Sequence, residues 1–338
     1  MLMRNFMVLL IFAISALLVP TVGFAAENDS ILIKTNPKKY RVRISLELKS
    51  VGVKPEILVG ELPWPESNEY QEIKSLDFSS GKVLSYPETG DKYLFCRLSG
   101  DNCPQPDSST TIFHEFEVTL YDITVDFSKI NEIYPYKKNS ALYHRYTGKS
   151  GDIVDPNHPE IQRIAKQIAA ESKNPLEFAR NAYLYVSDHY KYLNPNVGIT
   201  PLDKILKNGG GDCGNLTSIF VSLLRNQGIP ARHLAAIRPD GSCHYWADFY
   251  LENYGWIPVD VTYRLEDKTK TGDYFGRVCV ESNGIILARD VDLSVMNHQD
   301  VLKKVAHMQT FAYWWVPDTS GRNGHIECHH SLTVQPIH

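Results

Sequence analysis

Apolar and polar residues alternate along the first third of the chain. Tyr40, Val42, Ile44, Leu46 and Leu48 fall on one side of an extended segment, with Arg41, Arg43, Ser45 and Glu47 on the other. That period of two marks a half-buried strand. Strand-like runs follow at 56–61, 70–77 and 92–98, separated by Pro, Gly, Ser and Asn clusters that read as turns. From Ile112 the alternation runs through Phe116, Val118 and Leu120, then changes parity to Tyr121, Ile123, Val125 and Phe127. A parity change predicts a bulge or a switch between sheets. The series predicts an all-β, immunoglobulin-like sandwich over residues 26–135.

The period then changes. Between about 131 and 158 apolar periodicity lapses, which places a domain junction there. Pro159 opens a helical face of Ile161, Ile164, Ala165 and Ile168, and Pro175 opens another with Phe178, Ala179, Ala182 and Val186. A proline costs nothing at a helix start, where its missing N–H has no partner to lose. Thr200-Pro201 begins a shorter helix that ends in Gly209-Gly210-Gly211. Asp212 then caps a helix whose buried face is Leu216, Ile219, Phe220, Leu223 and Leu224 and which stops at Gly228. Strands are predicted at 232–237, 244–251 and 256–261, the second with His244, Trp246 and Asp248 on one face. Helices followed by antiparallel strands give an α+β class for residues 136–338, including a C-terminal extension.

Residues 1–25 read as a cleaved leader. Arg4 supplies the positive start, Phe6 to Val19 an apolar run short for a membrane span, and Ala25 the cleavage point. The mature chain is therefore expected to be secreted or periplasmic, with no membrane span. A formal net charge of −4 over 338 residues and the lack of a Lys/Arg-rich stripe speak against nucleic acid as a partner. All six cysteines follow the leader, where disulfides are permitted. Cys96 with Cys103 is the simplest pair to bridge and Cys279 with Cys328 a second, although six cysteines allow 15 full pairings.

Cys213 falls in the first turn of the capped helix, beside unpaired backbone N–H groups and the positive end of the helix dipole. Such placement lowers cysteine pKa values from roughly 8.5 toward 3.5–7.5 and favours the nucleophilic thiolate. His244 opens one strand and Asp260 projects from the next, so a short turn brings base and carboxylate together. The motifs Gly-Gly-Gly-Asp-Cys213, Leu-Leu-Arg-Asn-Gln-Gly-Ile-Pro-Ala-Arg232, His244-Tyr-Trp246 and Gly-Trp256-Ile-Pro-Val-Asp260-Val-Thr resemble, in order and spacing, the core of the bacterial transglutaminase-like superfamily. The resemblance covers about residues 159–265, with a family-type tail near Asp273-Tyr-Phe-Gly276. It implies a papain-like fold and a Cys-His-Asp triad, carried over to Cys213, His244 and Asp260. The Cys213 backbone N–H and Tyr192 are candidate donors to an oxyanion.

Tyr245 stands where many relatives have a small residue and Asp248 where a Glu is frequent, which points to different substrate-side contacts. No acidic loop suits calcium, and neither a cofactor nor a metal is expected. Cys243 adjoins His244, but neighbouring strand side chains face opposite ways, which argues against a redox link to Cys213. His325, Cys328, His329 and His330 fit no standard metal-ligand spacing and read as a solvated tail. Trp314 and Trp315 read as packing residues, and Asn215-Leu-Thr as an unused glycosylation acceptor. The expectation is an exported cysteine enzyme acting on an amide in a protein, a peptide or the cell wall. Water as acceptor makes it a peptidase or deamidase, an amine makes it a transglutaminase, and hydrolysis is the less demanding outcome. The alternatives are a non-catalytic scaffold and, lacking an obvious ligand set, a metal-dependent hydrolase.

Overall fold

A computed structural model of the chain describes residues 30–193, 200–266, 273–305, 313–317 and 324–337; the expected leader and its cleavage point lie outside them. The alternating region forms β1 (Leu32–Val51), β2 (Ile57–Trp64), β3 (Gln71–Phe78), β4 (Lys82–Ser85), β5 (Lys92–Ser99) and β6 (Ser109–Val125). β1 pairs antiparallel with β6 in the register Val42↔Phe116. Its alternate residues Val42, Ile44, Leu46 and Leu48 meet Leu58 and Leu62 of β2 and Leu94 of β5 in a shared core. The register slips between Thr35 and Lys38, where Asn36 takes φ 51°. The bulge behind the parity change in β6 therefore lies in its partner strand.

The helical region holds α1 (Ala141–Thr147), α2 (Pro159–Ala169), α3 (Pro175–His189), the two-residue β7 (Lys191–Tyr192), α4 (Leu202–Asn208), β8 (Gly210–Gly211) and α5 (Cys213–Asn226). After it come β9 (Ala231–Ile237), β10 (Cys243–Leu251), β11 (Gly255–Val259), α6 (Tyr263–Glu266), β12 (Arg277–Val278), α7 (Val280–Asn283) and β13 (Ile285–Arg289). β11, β10, β9 and β13 lie side by side in one antiparallel sheet. Helix α5 is buried from Cys213 through Arg225. Its Leu216, Phe220 and Leu223 share a core with Ile161 of α2, Phe178 of α3 and Phe249 of β10. Each such large side chain removed from water contributes roughly 2 kcal/mol, so α5 is held on every side.

The last strands are β14 (Leu293–Met296), β15 (Leu302–Val305), β16 (Tyr313–Trp315) and β17 (His325–Ile337). The C-terminal segment, expected to extend the catalytic half and to end in a solvated tail, instead returns to the first sheet. β17 pairs with the free side of β1 in the register Leu48↔Cys328 and Ile44↔Leu332. The physical reason is local. Ile326, Leu332 and Val334 alternate and pack on the core beneath β1, while Cys328, His329 and His330 are exposed. β16 adds Trp314 and Trp315 to β2. One sheet thus has the order β12-β6-β1-β17, with β3 also on β6, and the facing sheet the order β16-β2-β5-β4. Cys96 and Cys103 are buried thiols not joined to each other, and Cys279 is not joined to Cys328, so neither expected disulfide is present.

The strand-rich region and the central sheet meet through Tyr70 and Ile123 on one side and Leu234, Ala236 and Trp246 on the other. At this seam the buried Arg232 guanidinium donates through Nε to Asp248 Oδ1 at 2.8 Å and through a terminal nitrogen to Asp248 Oδ2 at 2.8 Å and Glu69 Oε1 at 2.7 Å. Tyr70 donates to Asp248 Oδ2 at 3.2 Å, and the guanidinium lies 3.7 Å above the Trp256 ring. Asp248 is therefore a structural partner of Arg232 rather than a substrate-side group.

Candidate active site

The glycine run positions the cysteine. A Cβ on Gly210 would lie 2.1 Å from the Lys191 carbonyl oxygen, and one on Gly211 would lie 2.4 Å from Asn215 Cβ. Only hydrogen fits at either position. β8 can therefore lie against β7, pairing Tyr192 with Gly211, while Leu193 N–H donates to the Gly211 carbonyl at 2.8 Å. Asp212 caps α5 by accepting from Asn215 N–H at 3.1 Å. Asn215, 1 % exposed, accepts through Oδ1 from Thr200 N–H at 2.9 Å. The Asn215-Leu-Thr motif is thus internal structure. Cys213 is left at the first turn of α5, 8 % exposed, against Ala235, Tyr245 and the half-buried Tyr192.

His244 and Asp260 reach each other across neighbouring strands. His244 Nε2 lies 2.7 Å from Asp260 Oδ2, and both side chains are 1 % exposed. Asp260 Oδ1 accepts from Thr262 N–H at 3.1 Å, Thr262 Oγ at 2.9 Å and Tyr263 N–H at 3.1 Å, and its Oδ2 accepts from Asn283 Nδ2 at 3.1 Å. Burial opposes the carboxylate, but His244 and these donors prevail and hold Asp260 below its ordinary range. Burial also opposes charge on His244; the Asp260 carboxylate and then Cys213 outweigh it and raise the ring to about 9. Cys213 acts on the ring as a hydrogen-bond partner. With Nε2 on Asp260, Nδ1 is the nitrogen left to face the thiol. All three expected residues are brought together.

Two neighbours were not foreseen. Asn283, from α7, locks the far side of Asp260, and its own Oδ1 accepts from Cys279 N–H at 2.9 Å. Arg238, the first residue of the turn between β9 and β10, brings a terminal guanidinium nitrogen to 3.0 Å from His244 Nδ1. No motif marks either one. Cys243, beside His244, is exposed at the strand end; burial of its thiol and then the nearby Cys213 push its pKa up. Tyr245 is fully buried beside Cys213. Among the described residues no group of three His, Cys, Asp or Glu is placed to hold a metal ion.

The other matched motif residues build the frame. Arg225, fully buried, donates to Asp290 Oδ1 at 3.0 Å, Ser150 Oγ at 2.8 Å and the carbonyls of Gly148 at 2.9 Å and Ala231 at 2.8 Å. It ties the end of α5 to the strand that follows, and Arg232 ties that strand to Asp248.

This geometry has relatives. The sequence model of the transglutaminase-like superfamily matches residues 162–261. An uncharacterized protein of Haemophilus influenzae is 25 % identical over 283 residues, covering 69 % of this chain and 74 % of its own length. A crystal structure of a provisionally assigned cysteine protease from Cytophaga hutchinsonii aligns with a TM-score of 0.55 at 13 % identity, covering 90 % of this chain and all of that one. At that identity the likeness is one of fold. The periplasmic domain of TgpA from Pseudomonas aeruginosa aligns more loosely, with a TM-score of 0.36 at 14 % identity over 68 % of this chain and 93 % of that one. With the Cys213 helix and the His244 and Asp260 strands all inside the matched segment, this chain carries a domain of the transglutaminase-like superfamily in an α+β fold with a strand-rich N-terminal region.

Proposed function

We propose that this protein is an exported cysteine enzyme that cleaves an amide bond in a protein, a peptide or cell-wall material, using Cys213, His244 and Asp260. The observation that carries the reading is the buried 2.7 Å contact between His244 and Asp260 beside the α5 N-terminus that bears Cys213. His244 Nδ1 takes the thiol proton, and the sulfur attacks the carbonyl carbon as the carbonyl electrons move to oxygen. The Cys213 N–H and Tyr192 hydroxyl are the proposed donors to that oxygen. Collapse expels the amine, which leaves with the His244 proton, and a thioester remains on Cys213. Water, deprotonated by His244, then attacks the thioester and restores the thiol. Asp260 holds Nε2–H throughout and balances the imidazolium. Export is supported by the Phe6–Val19 apolar run.

The test is the pH dependence of Cys213 alkylation by iodoacetamide, read by mass spectrometry beside a His244→Ala variant. Rapid labelling well below the ordinary thiol pKa of roughly 8.5, slowed in the variant, is expected. An ordinary thiol profile in both proteins overturns the enzyme reading in favour of a scaffold.

A further inference from the structure

The helix that locks the far side of Asp260 is anchored in the strand-rich region. β12 lies against β6, with Arg277 opposite Thr124 and Val278 opposite Ile123. The chain then turns through α7, a helix of four residues, too short to hold itself together in water. The bonds at its two ends are what fix it. Cys279, just ahead of the helix, offers no side-chain cap. The cap comes instead from β6, where the half-buried Asp122 accepts from Val280 N–H through Oδ1 at 2.9 Å. Asp122 is itself held, because its Oδ2 accepts from Asn36 Nδ2 at 2.9 Å, at the β1 bulge where Asn36 takes φ 51°. At the other end of α7, the Asn283 Oδ1 accepts from Cys279 N–H at 2.9 Å and Ser282 Oγ at 3.0 Å. Those donors orient the amide, so that Nδ2 is the group that donates to Asp260 Oδ2 at 3.1 Å. That oxygen is the one 2.7 Å from His244 Nε2. A continuous series of contacts therefore runs from the β1 bulge to the triad.

We propose that Asp122 is a remote positioning residue for the reaction: by capping α7 from the strand-rich region it holds Asn283, and through Asn283 the Asp260 carboxylate, in line with His244. The inference rests on the proposed function and adds to it a task for the strand-rich region. Asp122 touches neither the substrate nor the reacting atoms, and its effect reaches Cys213 in stages. Without the cap α7 frays and Asn283 loses its place. Asp260 then turns more freely and balances the imidazolium less well. Its Oδ1 keeps the three donors from Thr262 and Tyr263, so the outcome is a graded loss of rate and not its abolition.

The pH profile of Cys213 alkylation by iodoacetamide, measured on the full-length mature protein, tests this in Asp122→Ala, Asp122→Asn, Asn283→Ala and the Asp122→Ala, Asn283→Ala double variant. Loss of the cap in Asp122→Ala is expected to slow labelling at pH 7 about two- to fivefold. Its rise with pH should also move toward the ordinary thiol range, since a poorly held Asp260 supports the thiolate–imidazolium pair less. Asp122→Asn keeps an oxygen for Val280 N–H and should recover most of the rate. With Asn283 already removed, Asp122→Ala should add little, because the path through Asn283 is cut. A purely structural role would lower the melting temperature and leave the pH profile of the folded protein in place. That result, or an equal loss from Asp122→Ala with and without Asn283, overturns the proposal. The Nε2 proton of His244, followed by proton NMR and assigned by its loss in His244→Ala, reports the Asp260 contact without any reaction. A shifted or faster-exchanging resonance in Asp122→Ala supports the linkage, and an unchanged one overturns it. An ordinary thiol profile in the parent protein would end the enzyme reading alone, with the linkage still read from that proton.

Discussion

Replacing Asp248 by alanine tests the joint between the strand-rich region and the central sheet. Asp248 is fully buried and Arg232 is 3 % exposed, so the change leaves a guanidinium out of water without its bidentate partner. Breaking a buried pair this way costs about 3–5 kcal/mol. The low end applies, because Glu69 still faces Arg232 at 2.7 Å and is itself 26 % exposed. Taking about 3 kcal/mol, and roughly 2–4 °C per kcal/mol for a chain of this size, thermal unfolding by circular dichroism should fall by roughly 6–12 °C. Burial pushes Asp248 up to about 6 even against Arg232, so the intact pair stands near break-even with an apolar one. The Arg232→Met, Asp248→Leu double variant should therefore regain most of the loss, short of about 1–2 kcal/mol for the cation seated on Trp256. A single variant that loses under about 1 kcal/mol, or a double variant as unstable as the single, refutes the argument.

Glu61 is fully buried, with Oε2 accepting from Trp315 Nε1 at 3.3 Å and Oε1 meeting no donor among the described residues. Burial raises it to about 8, offset only by that bond. Because the unfolded chain ionises first, this carboxyl favours the fold below pH 4.5, and its contribution is lost as pH rises through about 8, by up to about 1.4 kcal/mol per pH unit. Glu61→Gln should flatten the fall in melting temperature between pH 5 and 9; a slope unchanged from the parent removes Glu61 as its cause. Asn283→Ala takes one donor from Asp260 and should slow Cys213 alkylation at pH 7 about two- to tenfold, with an unchanged rate counting against a positioning role.

What could be read in advance follows the range of the signals. Helix α5, its Asp212 cap and the strands bearing His244 and Asp260 are written in local periodicity, and the four motifs fix their order. The bulge in β1 was legible only through its partner, as the parity change in β6. Helix α1 was missed because it has seven residues and one buried side chain, Tyr146. β17 was missed because its exposed His, Cys and Glu residues resemble a tail, and only pairing with β1 makes it a strand. Arg238 and Asn283 enter the site from a turn and a one-turn helix, where no repeating pattern signals a role. Arg225 and Arg232 lay inside a recognised motif, yet their buried carboxylate partners are fixed only by the tertiary arrangement.

The register that joins Leu48 to Cys328 sets an order of events for the newly made chain. β1 precedes every other described strand, and one of its two edges has no neighbour until β17 emerges. Most of the core holding α5 lies between these partners in sequence and closes through contacts of shorter span. Loop closure over so long a separation carries the largest entropic cost and comes late. During that interval β1 presents an open edge, the kind of surface on which strands from other molecules add. Its Arg41, Arg43 and Lys49 place positive charge along that edge, the usual guard against such pairing. This part of the chain therefore matures from the inside outward, and β17 is the clasp.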